Sequence, residues 1–568
     1  MKWTYLLAFM SSGCLADAWS DLQDNFTTTA TTGVGPMTSG AAPTTTDGYD
    51  SSPVATVTGP PDETTTATTA TTEAPSTTTG DMANLPPTIE LFTVSPKDPK
   101  EKQLSEAGPA ELQLVASDDV VKVRLSLDGV VLAQLKPADF PWDWEALSAK
   151  DNGLARTFDV VVEDAEGLTA KAMAQLDVQL PPSGAEKCVF EDKGADLSVI
   201  SALKYTPDAI VAVGTRDTGA GLRLTVWKLD PDQCEKVLWS KSIANWTANN
   251  TFSAMTSIGV AVDVDEAGNI IVAGNFITGG KLQSYVARLT PDGARRWEQE
   301  GQVGDEVAGV AIATAQFKNR VFVVGAQRTS DVPVRTDGAI WVYIGDGESV
   351  FIQPPVTLKA PFTPEEIDPD EWNDRSEWVR AVVIQPGTGN ALAVGEREVW
   401  DGINSTFSRA FAVQVHPLGD VLGAPWTSST PALRHDALRS VAVCGDVFLA
   451  GGWTRDHIDP NAKPLPMMFW LGMEEFRSLP QLGATQINGI ACDRERKIIS
   501  AATRSAGSPD AQVFTVRGAF DPPFWYENGV ADGDGAGAVA CDPWGICGWG
   551  GYRTASMKPY AFVRVHHP

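Results

Sequence analysis

Six arginines recur at related places in this chain: Arg216, Arg328, Arg397, Arg455, Arg504 and Arg553. Each follows shortly after an apolar run that ends in a small residue, and one further copy of the run carries Phe276 instead. Guanidinium groups present forked donors that match the oxygens of carboxylate and sulfate. Gathered on one surface, they would capture a carboxylate, a sulfate or an acidic sugar. They could equally tie neighbouring elements together, because Arg216-Asp217, Arg397-Glu398 and Arg455-Asp456 each set an acid beside the arginine. The residues alone leave both uses open.

Other chemistry is thinner. The five histidines show no HExxH or similar metal-ligand spacing. No GxSxG elbow is present, and Gly533, Gly535 and Gly537 do not sit between a strand and a helix as a dinucleotide site requires. No catalytic residue and no metal ligand is therefore assigned. Calcium is a weak possibility at Asp263, Asp265 and Asn269 or at Asp532 and Asp534, but an acidic turn is the expected reading. Asp368, Asp370, Glu371 and Asp374 read as a solvated insertion. Of seven cysteines, Cys14 stands apart in the N-terminal segment, leaving an even six suited to disulfides in an oxidising compartment. Cys541 and Cys547 flank a short turn and form the best pair; Cys188–Cys234 would staple an early strand to the first repeat. Cys444 and Cys492 occupy matching places in successive repeats, which leaves a link between them open.

The elements that must position these groups repeat. One copy reads IGVAVDVDEAGNIIVAGN and then YVARLTPDGARRWEQEG, across 258–301. Aligned on the small residue that ends the second strand, the copies fall at Gly214, Gly274, Gly325, Gly395, Gly452, Ala502 and Gly550. Each offers four short strands. A four-stranded unit of this length repeated about seven times points to an all-β chain whose main domain, 187–568, is a β-propeller. The last copy lacks its fourth strand, and CVFEDKG at 188–194 reads like the missing one, with Phe190 where Trp297 stands. Cys188–Asp192 is thus expected to close the last blade and hide an open edge. The recurring aromatics, Trp239, Trp297, Phe351, Trp426 and Trp525, are expected to pack between sheets rather than hold a cofactor. These motifs resemble the bacterial seven-bladed propeller (SBBP) repeat, which is also seen near quinoprotein-type repeats.

Before the repeats, residues 85–184 alternate apolar and polar in about seven runs, with hairpin signals at Leu127-Asp128-Gly129 and Asp164–Gly167. This predicts a small β-sandwich. The stretch NGLARTFDVVVEDAEGLTAKA resembles the last strands of bacterial immunoglobulin-like surface domains, which implies an Ig-like spacer. Residues 19–84 are Thr, Ala, Pro, Gly and Ser with scattered acids and too few large apolar groups to offset ordering, so a disordered tether is expected. Residues 1–18 read as a targeting segment. Ser12-Gly13-Cys14 resembles a bacterial lipobox, although Ser11 stands where the family has Leu; the resemblance implies lipidation of Cys14. Cleavage after Ala16-Asp17-Ala18 is the alternative, and would make the protein secreted rather than anchored in the cell envelope.

A net charge of −28 disfavours nucleic acid and anionic membrane faces, so a membrane contact is expected only through the lipid. Turns between first and second strands are short, whereas the second-to-third connections, 215–221, 326–338, 396–408 and 453–466, vary in length and chemistry. Variable loops on a rigid ring are where binding lives. The expectation is a monomeric, anchored binding or interaction lipoprotein taking a protein or glycan through that rim. The alternative is a propeller enzyme, either a quinoprotein-like oxidoreductase or a polysaccharide-acting one.

Overall fold

The computed structural model describes residues 85–567 apart from internal stretches, the longest being 244–256 and 358–375. Cys14 and the tether lie outside the described residues. Among those described, the chain is all-β, with nine antiparallel sheets and one short 3-10 turn at Pro137–Asp139. The contacts divide the chain into two compact units that part at Leu180 and Pro181.

In the first unit, Ile89–Pro96, Gly108–Ala116 and Trp142–Ala146 make a three-stranded sheet. Val130–Leu135, Val120–Leu127, Gly153–Asp164 and Thr169–Val178 make a four-stranded one. Leu112 and Trp144 from one sheet and Leu125, Phe158 and Leu176 from the other share a single core, because alternate residues of each strand point the same way. Trp144 meets Phe158 edge-on at 5.2 Å. The two-residue turn at Asp128 (φ 49°) and Gly129 (φ 83°) has the left-handed backbone that the Asp-Gly pair foretells.

The second unit holds seven sheets. Their first strands are Ser198–Thr206, Ser257–Val264, Asp305–Ile312, Glu377–Ile384, Arg434–Cys444, Ala484–Cys492 and Gly535–Cys541. Each first strand packs beside the first strand of the following sheet, and Gly535–Cys541 packs back against Ser198–Thr206. The neighbour order is thus cyclic. Every sheet then adds strands outward by hairpins; the third ends in two short segments, Phe351–Ile352 and Val356–Thr357. In the seventh sheet Glu186–Glu191 pairs with Lys558–His566, setting Phe190 opposite Val563, so the early segment supplies the fourth strand as the sequence suggested. The aromatics on fourth strands reach the next sheet: Trp297 stacks on Tyr343 at 6.0 Å and Trp426 on Phe469 at 3.8 Å.

A repeated β-bulge explains the repeated glycine. In all seven first strands the register skips one residue: Ser201, Val260, Ala308, Arg380, Arg439, Asn488 or Gly537. The bulge turns a carbonyl toward the second strand. A Cβ at Gly214, Gly274, Gly325, Gly395 or Gly452 would overlap the carbonyl oxygen of Val199, Ile258, Glu306, Trp378 or Ala437 respectively. In the seventh sheet the residue facing the position before the bulge is Gly551, not Gly550, which corrects the alignment by one. The residue after each bulge is also small (Ala202, Ala261, Gly309, Ala381, Ser440, Gly489 and Ala538). It sits where first strands of neighbouring sheets meet: a Cβ at Gly489 would lie 3.3 Å from Ala538 Cα.

Three disulfides are present: Cys188–Cys234, Cys444–Cys492 and Cys541–Cys547, with Cα separations of 5.6, 5.4 and 4.0 Å. The first ties the closing strand to the first sheet and the second joins the first strands of the fifth and sixth sheets. The third spans the hairpin of the seventh.

Candidate functional site

The second-to-third connections are hairpins rather than loops over much of their length. Arg320–Asp331 pairs with Val334–Ile344 nearly to its tip, and Ala391–Trp400 with Thr406–Val415. All six arginines therefore lie inside second strands, and for the five whose side chains are described alternation fixes the face each one takes. Counted from the residue that faces the position before the bulge, Arg216, Arg397 and Arg553 stand two positions on, as does Phe276; the Arg504 side chain lies outside the described residues. Arg328 and Arg455 stand three positions on, which turns them to the opposite face of their sheets. Register thus separates the five described side chains into two sets.

Two of them are tied by the closing strand. Arg216 Nε lies 3.0 Å from Asp192 Oδ2, and Arg553 Nη1 lies 3.3 Å from Glu191 Oε1. The acid beside Arg216 in sequence, Asp217, is not the partner found. Glu191 also takes Lys193 at 2.5 Å and accepts from the Tyr560 hydroxyl at 3.3 Å. Partial burial raises its carboxyl, but the Lys193 and Arg553 charges outweigh that and hold it below the usual range. Arg553 further stacks on Phe562 at 4.9 Å.

The fourth and fifth sheets carry a denser cluster. Arg397 stands opposite Glu377 on one side and Arg409 on the other, while Arg455 stands opposite His435. His435 Nδ1 accepts the Ser408 N–H at 3.2 Å and so links the two sheets. Deeper in, the bulge residue Arg380 donates through Nε and Nη2 to Glu396 Oε1, at 3.0 and 2.7 Å. Arg439, the bulge residue of the next sheet, brings Nη2 to 3.7 Å from the same oxygen. Burial raises the Glu396 carboxyl, yet the Arg439 and Arg380 charges more than offset this and keep it ionised, below its ordinary value. Arg380, Arg439 and Glu396 were missed in the sequence. The signal was present, since arginine replaces Val260 of IGVAV in VRAVV and LRSVA.

The acidic turns are satisfied by backbone amides and neighbouring cations. Asp265 Oδ1 accepts the Ala267 and Asn269 amides at 3.0 and 2.8 Å, and Arg288 pairs with its other oxygen. Asp263 instead pairs with Lys204 of the first sheet at 2.7 Å. Asp542 Oδ1 accepts the Trp544 and Ile546 amides at 2.8 Å each, and burial pushes its carboxyl up to about 6. Asp532, Asp534 and the acids of 368–374 lie outside the described residues. Cys188, Cys234 and Glu235 group their ligand atoms, but the disulfide occupies both sulfurs.

No family model and no curated protein matches this chain. Among solved structures it is similar to a protein of unknown function from Dyadobacter fermentans, at 10% identity over 67% of this chain and 98% of that one (TM-score 0.38). It is also similar to the polysaccharide lyase Uly1, at 10% identity over 65% and 89% (TM-score 0.40). Chaetomium thermophilum Sqt1, bound to the N-terminus of ribosomal protein L10, is a third, at 12% identity over 67% and 99% (TM-score 0.38).

Proposed function

We propose that the second unit is a seven-bladed β-propeller that serves as a binding scaffold, taking a protein or glycan on the hairpin side of its fourth and fifth sheets. The observation that carries this is the cyclic neighbour order of the seven first strands, with the closing strand filling the last sheet. A ring so closed is rigid, and its hairpins differ in length and side chains from sheet to sheet, which suits recognition rather than a shared structural role. Arg397 and Arg409 stand opposite one another in the hairpin of the fourth sheet and set two cations side by side on a chain whose net charge is −28. Electrostatic complementarity would then favour acidic partners.

In the same reading Cys14 anchors the chain to the cell envelope, the Thr-rich tether gives reach, and the first unit is an Ig-like spacer. Screening the full chain on arrays of glycans and surface proteins tests the proposal. Saturable binding to a defined ligand without turnover is expected; turnover of a bound polysaccharide, or no binding to any array member, would overturn it.

A further inference from the structure

We infer that the edge strand Val130–Leu135 of the first unit pairs antiparallel with the same strand of a second copy of this chain, a contact separate from the scaffold reading above and at odds with the monomer expected from the sequence. The strand ends its four-stranded sheet, and among the described residues no strand lies on its outer side. An open edge leaves alternate N–H and carbonyl groups unpaired, a template for a further strand. Charged side chains ordinarily block such pairing. The other three edge strands of this unit carry them: Glu90 on one, Asp143 and Glu145 on another, Lys171 and Asp177 on the third. VVLAQL carries no charge and no proline, and its Val130, Val131 and Leu132 are 69%, 53% and 38% exposed.

The charges that flank the strand choose the occupant. Asp128 precedes it and keeps 43% of its side-chain surface open beside Arg156, while Lys136 follows it and is exposed. An antiparallel pairing that sets Leu132 opposite its own copy sets Asp128 of each chain opposite Lys136 of the other. An in-register parallel pairing would set like charges together, which is unfavourable. The strand itself is uncharged, so two chains of net charge −28 meet there without local repulsion. Such a two-fold contact closes on itself and stops at a dimer. Its extent is small. Six residues span about 20 Å and a sheet is about 10 Å thick, on the order of 200 Å² per copy, whereas stable interfaces bury about 800 Å² per partner. A bulge at Leu132 interrupts the pairing with the neighbouring strand and adds local twist at the edge. The dimer is therefore weak and forms at high local concentration.

Sedimentation equilibrium of the full chain from about 10 μM to about 1 mM tests this, the range in which so small an interface associates. A reversible monomer–dimer equilibrium is expected. Val131→Lys puts a charge on the open edge and should weaken dimerisation at least tenfold. Lys136→Glu sets an acid opposite Asp128 and should weaken it a few-fold, more at low salt. Both residues are exposed, so the thermal midpoints of the variants in dilute solution should stay within a few degrees of the native chain, which guards against misfolding. A native chain that is monomeric throughout the range, or a dimer indifferent to Val131→Lys, overturns the inference. A dimer weakened by Val131→Lys but not by Lys136→Glu at low salt refutes the antiparallel arrangement. Open-ended association overturns it too, because an edge pair closes. Protection of the 130–135 amides from hydrogen exchange in a strictly monomeric chain would place another segment of the same chain on this edge, and would equally overturn it.

Discussion

Gly452→Ala tests the bulge account with the fewest assumptions. Gly452 faces Leu438, immediately before the Arg439 bulge. Its backbone is not left-handed, so alanine brings no conformational penalty and the effect is purely steric. The added Cβ would overlap the Ala437 carbonyl oxygen and lie 2.8 Å from that carbonyl carbon and 2.9 Å from Leu438 Cα. Comfortable carbon contacts need roughly 3.5 Å or more. The obstacle is backbone, so the first strand must retreat and lose pairing, or the hairpin must splay. Overpacking of this kind costs about 1–3 kcal/mol, and each ladder bond lost adds about 1 kcal/mol. We expect a loss of about 3 kcal/mol for Gly452→Ala in urea unfolding followed by tryptophan fluorescence. Gly548→Ala is the internal control: its Cβ would meet nothing nearer than 3.7 Å. A change within about 0.5 kcal/mol is expected there. Equal effects of the two substitutions, or a neutral Gly452→Ala, would refute the reasoning that a bulge carbonyl dictates the repeated glycine.

Two further outcomes follow from the same geometry. Asp542 has a folded-state pKa raised to about 6 from 3.8, so the folded chain holds its proton more tightly and stability falls as pH rises between those values. Asp542→Asn keeps the acceptor for the Trp544 and Ile546 amides and removes the buried charge; it should stabilise by about 1–2 kcal/mol at pH 7 and have little effect at pH 3.5, as thermal midpoints at both pH values will show. Replacing Cys188 and Cys234 together by Ser opens a loop of sequence separation 46 and should cost about 4 kcal/mol by the chain-entropy estimate, while a non-reducing peptide map of the native chain should recover that pair.

Much of the architecture was legible because its causes are local and repeated. The residue facing the position before each bulge is glycine in six of the seven second strands, and in five of them a Cβ would overlap a first-strand carbonyl, which makes the repeat visible in the sequence; even the slip at Gly550 was a single residue, between two adjacent glycines. The closing strand was legible because Phe190 repeats the place of Trp297, and because a sheet edge left open is costly. The arginines were harder. A one-residue offset within connections of unequal length sends Arg328 and Arg455 to the other face. The partners of Arg216 and Arg553 come from residues 191 and 192, brought close only by closure of the last sheet. Arg380 and Arg439 sit within apolar runs that read as ordinary buried strands, and only the bulge gives those positions a different environment. Connections taken for loops, such as 326–338, proved to be paired hairpins because residues of mixed polarity can still satisfy a ladder at the margin of a sheet.

We propose that the hairpin side of the fourth and fifth sheets is the binding surface. Its most direct test is the affinity of the array-identified ligand for the full chain and for Arg397→Ala/Arg409→Ala/Arg455→Ala, each with its thermal midpoint measured alongside. At least a tenfold loss of affinity is expected, with steeper salt dependence in the native chain and midpoints within a few degrees of each other. Unchanged affinity in the triple variant would contradict it.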